Sequence, residues 1–171
     1  MLTLDPHTAN EKPVHYRIPV YTVALVRERT LSQLQRPQIR TTADAAHVLS
    51  TYLADADREN LVVLLLNSKH RIIGIHTVSV GSLTSSLAHP REAMKAAILA
   101  NAAAFILCHN HPSGDPTPSN EDHALTKRMY AASELLGVQL LDHIIIGDAG
   151  RWYSFQDEGA LVQTTLWRSH Q

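Results

Sequence analysis

The strongest constraint on the fold is a short apolar run that ends in two closely spaced histidines. Residues 105–108 are too few for a helix and suit a buried strand, which His109 and His111 close. Residues two apart on a strand share a face, so the two imidazoles start roughly 6–7 Å apart at the strand's end. From there both rings can reach one ion at about 2.0–2.1 Å, and we therefore predict a metal site.

The residues after the histidines predict where a third ligand lies. Three prolines and a glycine force the chain to turn, and Ser119 is then the expected N-cap of a helix. That helix is predicted from an apolar stripe at helical spacing, formed by Leu125, Met129, Ala132 and Leu136. Asp122 falls at the third helical position, beside the loop that carries the histidines. Two histidines and one carboxylate leave a fourth position for water, which is typical of a catalytic zinc site.

Composition narrows the class of protein. The chain has 171 residues, 44% of them hydrophobic, which suits one globular domain with a short extension. A net charge of -1 predicts no strong, sequence-independent attraction to nucleic acid or to an anionic membrane. The single cysteine excludes an internal disulfide and a cysteine-built zinc finger. No apolar run approaches the roughly 18 residues of a membrane span and no signal pattern is visible, so we expect a soluble, cytoplasmic protein.

The rest of the chain alternates predicted strands and helices. We expect an N-terminal extension over residues 1–40 with a first strand at 21–26, one domain over 41–160 and a tail over 161–171. Helices are predicted at 42–57, with Thr42 as the cap, and at 90–104, and further strands at 61–66, 71–80, 138–146 and 152–155. Strands before, between and after helices indicate an α+β fold, with a mixed β-sheet flanked by helices.

The predicted ligands also match a known signature. His109-x-His111, seven intervening residues and then Ser119-x-x-Asp122 resemble the JAMM motif of the JAB/MPN metalloprotease fold. This resemblance implies a JAB/MPN, cytidine-deaminase-like architecture for residues 41–160.

A longer string of residues narrows the resemblance to one family. Residues 109–119, preceded by the segment 89–92 and followed by the segment 142–147, resemble the RadC family in particular. The resemblance covers roughly residues 20–157. Full-length RadC-like proteins often carry a helix-hairpin-helix region in front, for which this chain has no room, and that departure weakens a DNA-binding role.

The resemblance implies a set of catalytic roles. A zinc ion would be bound by His109, His111 and Asp122, and a glutamate would act on the water that the metal activates. Glu59, just before the first long apolar strand, is at the matching position; it would take the water's proton and pass it to the leaving amine. Ser119 would help to stabilise the oxyanion. The implied protein is a zinc metalloprotease, a peptidase or isopeptidase that acts on a peptide or protein substrate.

Three of these assignments have alternatives. Glu92 is a second candidate for the base, although a negative charge in the first turn of a helix is also favoured by the helix dipole. Ser119 and Asp122 form the pattern of a capping box, and Asp122 cannot easily serve both the cap and a metal with one oxygen.

Four other polar residues near the motif have simpler interpretations. Cys108 alternates away from the histidines and is predicted to be a core residue. Asp115 either contributes to the site or forms an Asx-type turn, and the turn is the simpler interpretation. Asp142 and His143 are adjacent on a strand and point to opposite faces, so they cannot pair and we predict a structural role for both.

Two other functions stay open. A metal-dependent nuclease or a DNA-repair accessory protein is suggested by the RadC family name, although the near-zero net charge does not support a nucleic-acid partner. The second open function is that of a binding module, which would keep the fold but catalyse no reaction. The complete set of predicted metal ligands argues against this function.

Overall fold

The computed structural model describes residues 22, 24–27, 38–81 and 89–161. Within these ranges the chain forms three helices and five strands. In chain order they are α1 (Thr42–Leu53), β1 (Asn60–Leu66), β2 (Ile72–Val80), α2 (Pro90–Leu99), β3 (Ala104–Asn110), α3 (Asn120–Leu136), β4 (Gln139–Ile146) and β5 (Trp152–Ser154).

The five strands form one mixed sheet in the order β2-β1-β3-β4-β5. β1 is antiparallel to both of its neighbours, β3 and β4 are parallel, and β5 returns antiparallel to β4. The parallel pair needs a crossover connection, which α3 supplies. The predicted α+β fold with a mixed sheet is confirmed.

Helices cover both faces of the central strands. α2 and α3 pack on one face and α1 packs on the other, so that β1 and β3 are buried almost throughout. This explains why residues 61–66 are continuously apolar rather than alternating. His109 continues the face that α3 covers, whereas Cys108 and Asn110 belong to the face that α1 covers.

Two helix boundaries differ from the prediction. α1 is capped by Thr41 rather than Thr42, because Asp44 at the third helical position completes a capping box with Thr41, and the helix ends at Leu53. α2 starts at Pro90 as predicted but ends at Leu99. Asn101 takes a left-handed conformation with φ 50°, which asparagine tolerates and which turns the chain directly into β3.

The predicted first strand is not supported where it can be checked. Thr22 and residues 24–27 are exposed and belong to no strand, while residues 21 and 23 lie outside the described residues. The predicted C-terminal tail falls outside them as well, apart from residue 161. Among the helices of the described ranges, none combines the length and the apolar composition that crossing a bilayer requires.

Candidate metal centre

Three elements bring the predicted site residues together. His109 lies near the end of β3, His111 follows it, and Asp122 lies in the first turn of α3, behind the N-cap Ser119. Glu59 directly precedes β1, which pairs with β3 so that Leu61 lies opposite His109. If that register is continued by two residues past the end of the ladder, Glu59 falls beside His111, on the same face. The pairing of β1 with β3 therefore brings Glu59 close to the two histidines.

The nitrogen and oxygen atoms of the three predicted ligands converge on one point. The Nε2 atoms of His109 and His111 are 3.0 Å apart. Asp122 places Oδ1 3.1 Å from Nε2 of His109 and Oδ2 3.6 Å from Nε2 of His111. Bonds of about 2.0–2.1 Å to a tetrahedral ion would separate its ligands by about 3.3 Å. The spacing of the three side chains thus fits a single small cation.

Glu59 forms a second, overlapping group with the same histidines. One of its carboxylate oxygens and one nitrogen of each ring all lie within 4.8 Å of one another, so these three residues could also hold a metal ion. Glu59 is half-buried, whereas Asp122 is only 3% exposed. Glu92, the alternative acid, lies on α2 and forms ion pairs with Lys95 and Arg91 instead.

Asp122 serves the helix cap and the site with different oxygens. Oδ2 accepts hydrogen bonds of 2.7 Å from both the backbone N–H and the hydroxyl of Ser119, and Oδ1 faces His109. The expected conflict between capping and ligation is avoided because the carboxylate has two acceptors. Burial alone would raise the pKa of Asp122, but His109, when its Nε2 carries a proton, and the hydrogen bonds from Ser119 hold that pKa well below its usual range. Asp122 is therefore ionised, as a metal ligand must be.

A buried chain of hydrogen bonds fixes the tautomer of His109. The hydroxyl of Thr126 donates to the backbone carbonyl of Asp122 at 2.7 Å, so its oxygen must accept the 2.6 Å bond from Nδ1 of His143. Burial, and then the neighbouring His109, lower the pKa of His143 well below its usual value, so this ring is neutral. Its unprotonated Nε2 accepts the Nδ1–H of His109 at 2.9 Å. The lone pair of His109 Nε2 is thereby aimed at the site.

The tautomer of His111 is fixed from the opposite side. Its Nδ1 lies 2.7 Å from the backbone carbonyl of Asp115, which can only accept, so Nδ1 carries the proton. The carboxylate of Asp115 in turn accepts from the N–H and O–H of Thr117, the predicted Asx-type turn. Two inward lone pairs and an ionised carboxylate form a donor set that fits a divalent metal such as zinc.

His143 is the site residue that sequence reasoning missed. Strand alternation separates it from its neighbour Asp142, which lies on the other face of β4, and the sequence therefore predicts only a structural role for it. The parallel pairing of β3 with β4 sets His143 opposite Leu107, on the face of His109, where Phe155 stacks against its ring. Asp142 is structural as predicted, since it accepts bonds from Ser154 and the backbone of Gln156. Cys108 is fully buried in the core, also as predicted.

The hydrogen-bond chain behind His109 predicts the effect of replacing Thr126. Thr126→Val keeps the side-chain shape but removes both the acceptor for His143 and the bond to Asp122. His143 can then protonate at Nε2 and stop accepting from His109, so we expect zinc affinity to fall by at most the roughly 10- to 100-fold that follows the loss of a ligating histidine's own partner. Competition against a chromophoric chelator measures this.

Thr51 on α1 provides the matched control for Thr126. Its hydroxyl makes the same type of bond within a helix, to the carbonyl of His47 at 2.9 Å, but far from the site. Thr51→Val should therefore leave zinc affinity unchanged. Equal zinc affinities for the Thr126 and Thr51 variants would show that the hydrogen bonds from Thr126 through His143 to His109 do not contribute to zinc binding.

The loop after His111 rests on the turn between β4 and β5. The N–H of His111 donates to the carbonyl of Ile146, and the carbonyl of Gly114 accepts from the N–H of Asp148. Gly147 permits this approach: a Cβ there would lie 2.5 Å from the carbonyl oxygen of Gly114 and 2.8 Å from Cδ of Pro116. A side chain at Gly147 would push the loop away from the sheet.

Gly147→Ala is accordingly expected to destabilise the protein. The clash is with backbone and a proline ring, which cannot turn aside, so we expect the free energy of unfolding to fall by roughly 1–3 kcal/mol. Urea denaturation measures it. Gly74→Ala is the control, because the added Cβ would meet only Leu65 Cδ1 at an ordinary 3.9 Å. If both variants lost the same stability, the close approach of the loop would not be the cause.

The chain is similar to known proteins over most of its length. A UPF0758 protein of Clostridium acetobutylicum is 48% identical over 135 residues, which are 79% of this chain and 58% of that protein. A UPF0758 protein of Moorella thermoacetica is 52% identical over 128 residues, 75% of this chain and 56% of that protein. The chain thus spans a little over half the length of the curated relatives it matches. A family model described as the RadC-like JAB domain matches residues 39–160, and the chain belongs to this RadC-like JAB domain family.

Proposed function

We propose that this protein is a zinc-dependent hydrolase of amide bonds, a peptidase or isopeptidase with a peptide or protein as substrate. The observation that carries the proposal is the convergence of two inward-facing imidazole lone pairs and an ionised carboxylate, with a second carboxylate close by. His109, His111 and Asp122 would hold the ion, and the second carboxylate is that of Glu59. A purely structural zinc site would close its coordination with protein ligands and would have no use for an additional acid.

The roles of the side chains follow from their positions. When bound, zinc would act as a Lewis acid that polarises the scissile carbonyl and lowers the pKa of the attacking water. Glu59 would take a proton from that water as its oxygen bonds to the carbonyl carbon, and would donate the proton to the amine nitrogen as the C–N bond breaks. The products are a carboxylate and an amine. Ser119 could assist the oxyanion only by turning its hydroxyl away from Asp122, so its role as N-cap comes first.

Substrate has an open side from which to approach. The side chain of His111 is 17% exposed, whereas that of His109 is fully buried. An open cavity of about 270 Å³ adjoins His111 between the end of α1 and the β4–β5 turn, with Leu53, Pro112 and Ile146 among its lining residues. This cavity contacts the metal site only through His111, because its lining includes none of Glu59, His109 and Asp122.

The test is hydrolysis by the zinc-loaded protein of three substrate panels: linear peptides, isopeptide-linked proteins and DNA. We expect new amine termini from one of the first two panels and none from the metal-stripped protein. DNA should be left intact and bound weakly, with an affinity that falls steeply between low and physiological salt. Cleavage of DNA without amide hydrolysis, or DNA binding that survives about 0.2 M salt, would instead favour the nuclease or repair function.

A further inference from the structure

One residue of the motif, Asn110, is so far without a role. It lies between His109 and His111 but points to the other face of the sheet, and it is only 8% exposed. Its Oδ1 accepts the backbone N–H of Asn60 at 2.9 Å, and its Nδ2 donates to the backbone carbonyl of Arg58 at 3.1 Å. These two backbone groups lie on either side of Glu59. The side chain of Asn110 therefore forms hydrogen bonds with the backbone on both sides of Glu59, the proposed base.

A third bond completes the restraint on this segment. The carbonyl of Glu59 itself accepts the N–H of Gly81 at 2.8 Å, just beyond the end of β2. The main-chain pairing of β1 with β3 ends at Leu61 and His109. Beyond that point the side-chain amide of Asn110, rather than the backbone of β3, makes the hydrogen bonds to the backbone of residues 58 and 60. Without it, the peptides before and after Glu59 would lose their partners on the β3 side.

Asparagine suits this position for a chemical reason. The two hydrogen bonds need one acceptor and one donor at the end of a short side chain. Asparagine has both, whereas ionised aspartate has no donor. Aspartate would place a carboxylate oxygen against the Arg58 carbonyl, while leucine would make neither bond.

We propose that Asn110 is a positioning residue that holds the Glu59 carboxylate against the histidine pair. The inference rests on the proposed function, because it assumes that Glu59 moves the proton. Reacting groups must be held to within a fraction of an ångström, and a misplacement of about 1 Å can cost 10²-fold in rate. Asn110 lies between the two proposed histidine ligands at the end of β3. The position of Glu59 is therefore coupled to the positions of His109 and His111 through the same strand end.

The first experiment compares Asn110→Ala with Asn67→Ala in the full chain loaded with zinc. Asn67 is the matched control, because its Oδ1 also accepts two backbone N–H groups, from Lys69 and Arg71, but at the opposite end of β1. We expect Asn110→Ala to lower kcat by about 10- to 100-fold, with KM and zinc stoichiometry unchanged. Asn67→Ala should leave kcat unchanged, although both variants lose two hydrogen bonds.

The second experiment repeats the change in a Glu59→Gln background. If Asn110 acts through Glu59, removing it has little further effect once the proton acceptor is gone, so the two losses of kcat are not additive. Additive losses would overturn the proposal, since they would show that Asn110 supports the site by another route.

The third experiment does not depend on turnover. Amide hydrogen exchange in the zinc-free protein reports the bond from Asn60 to Asn110, and we expect Asn110→Ala to speed exchange at Asn60 by about 10-fold or more. Asn110→Asp keeps the acceptor and the volume, so it should retain protection at Asn60 and lose only part of kcat; it also serves if the alanine variant does not fold. Unchanged exchange at Asn60 in Asn110→Ala would overturn the proposal. If Asn110→Ala speeds exchange at Asn60 as expected but the wild-type protein cleaves no amide bond, the proposed hydrolase function would be rejected instead.

Discussion

Glu59→Gln is expected to lower amide hydrolysis by a factor of about 10² to 10⁴ while the zinc content stays at one ion per chain. The amide keeps the shape of the carboxylate and can still accept a hydrogen bond, so what it loses is the capacity to take up a proton. Zinc should remain because His109, His111 and Asp122 are unchanged. Rate and zinc content have to be measured on the same samples, because loss of metal alone would also abolish activity.

The zinc measurement also separates two roles for Glu59. Its carboxylate lies close enough to both histidines to be a ligand in its own right. We expect Asp122 to be the ligand, because its oxygens lie 3.1 and 3.6 Å from the two Nε2 atoms and its side chain is nearly fully buried. If Glu59→Gln lost its zinc, Glu59 would be a ligand and the base would have to be another group.

Glu92→Gln is the control for the proton transfer. The ammonium of Lys95, 2.5 Å away, and the guanidinium of Arg91 hold the pKa of Glu92 below its usual value. A general base works best with a pKa near the working pH, so these partners make Glu92 a poorer proton acceptor. We expect Glu92→Gln to leave turnover unchanged. Loss of activity in Glu92→Gln with zinc intact, together with an active Glu59→Gln, would move the proton transfer to α2.

The parts of the site that are encoded locally could be predicted from the sequence. Strand, loop and helix follow one another within residues 105–122, so spacing alone placed His109, His111 and Asp122. The position of Glu59 was implied only by the family resemblance. The structure supplies the physical reason, because the pairing of Leu61 with His109 carries Glu59 to His111. That register joins residues about 50 positions apart, which no local pattern specifies.

The supporting residues could not be predicted for the same reason. His143 and Thr126 act on His109 through the β3–β4 register and the packing of α3, and Asn110 acts through the end of the β1–β3 ladder. Each residue by itself has an ordinary explanation, such as a buried histidine or a helical threonine. Only the long-range pairing of strands gives them their partners. The early end of α2 was missed because Asn101 ends the helix by its conformation, while the apolar spacing continues.

Replacing His109 and His111 together with Ala is expected to remove zinc completely, as measured by elemental analysis. Both imidazole ligands are lost, and the carboxylates of Asp122 and Glu59 alone are not expected to hold the ion against buffer and water. Asp122→Ala should weaken binding less, because both imidazoles remain; it also removes part of the cap of α3, at a cost of about 1 kcal/mol of stability. The matched control replaces two exposed histidines outside the site, His47 and His76. That control should keep one zinc per chain.

A thermal shift on adding zinc distinguishes a lost site from an unfolded chain. An ion that binds only the folded protein stabilises it by RT ln(1 + [Zn]/Kd), about 2.7 kcal/mol at one hundred times Kd. Wild type and the His47/His76 control should therefore gain melting temperature with zinc, and the His109/His111 variant should not. His109 is fully buried, so its removal could unfold the chain, whereas His111 is partly exposed and His111→Ala alone should fold. A folded His111→Ala protein with wild-type zinc affinity would exclude the site, because Nε2 of that ring is one of its three converging ligand atoms.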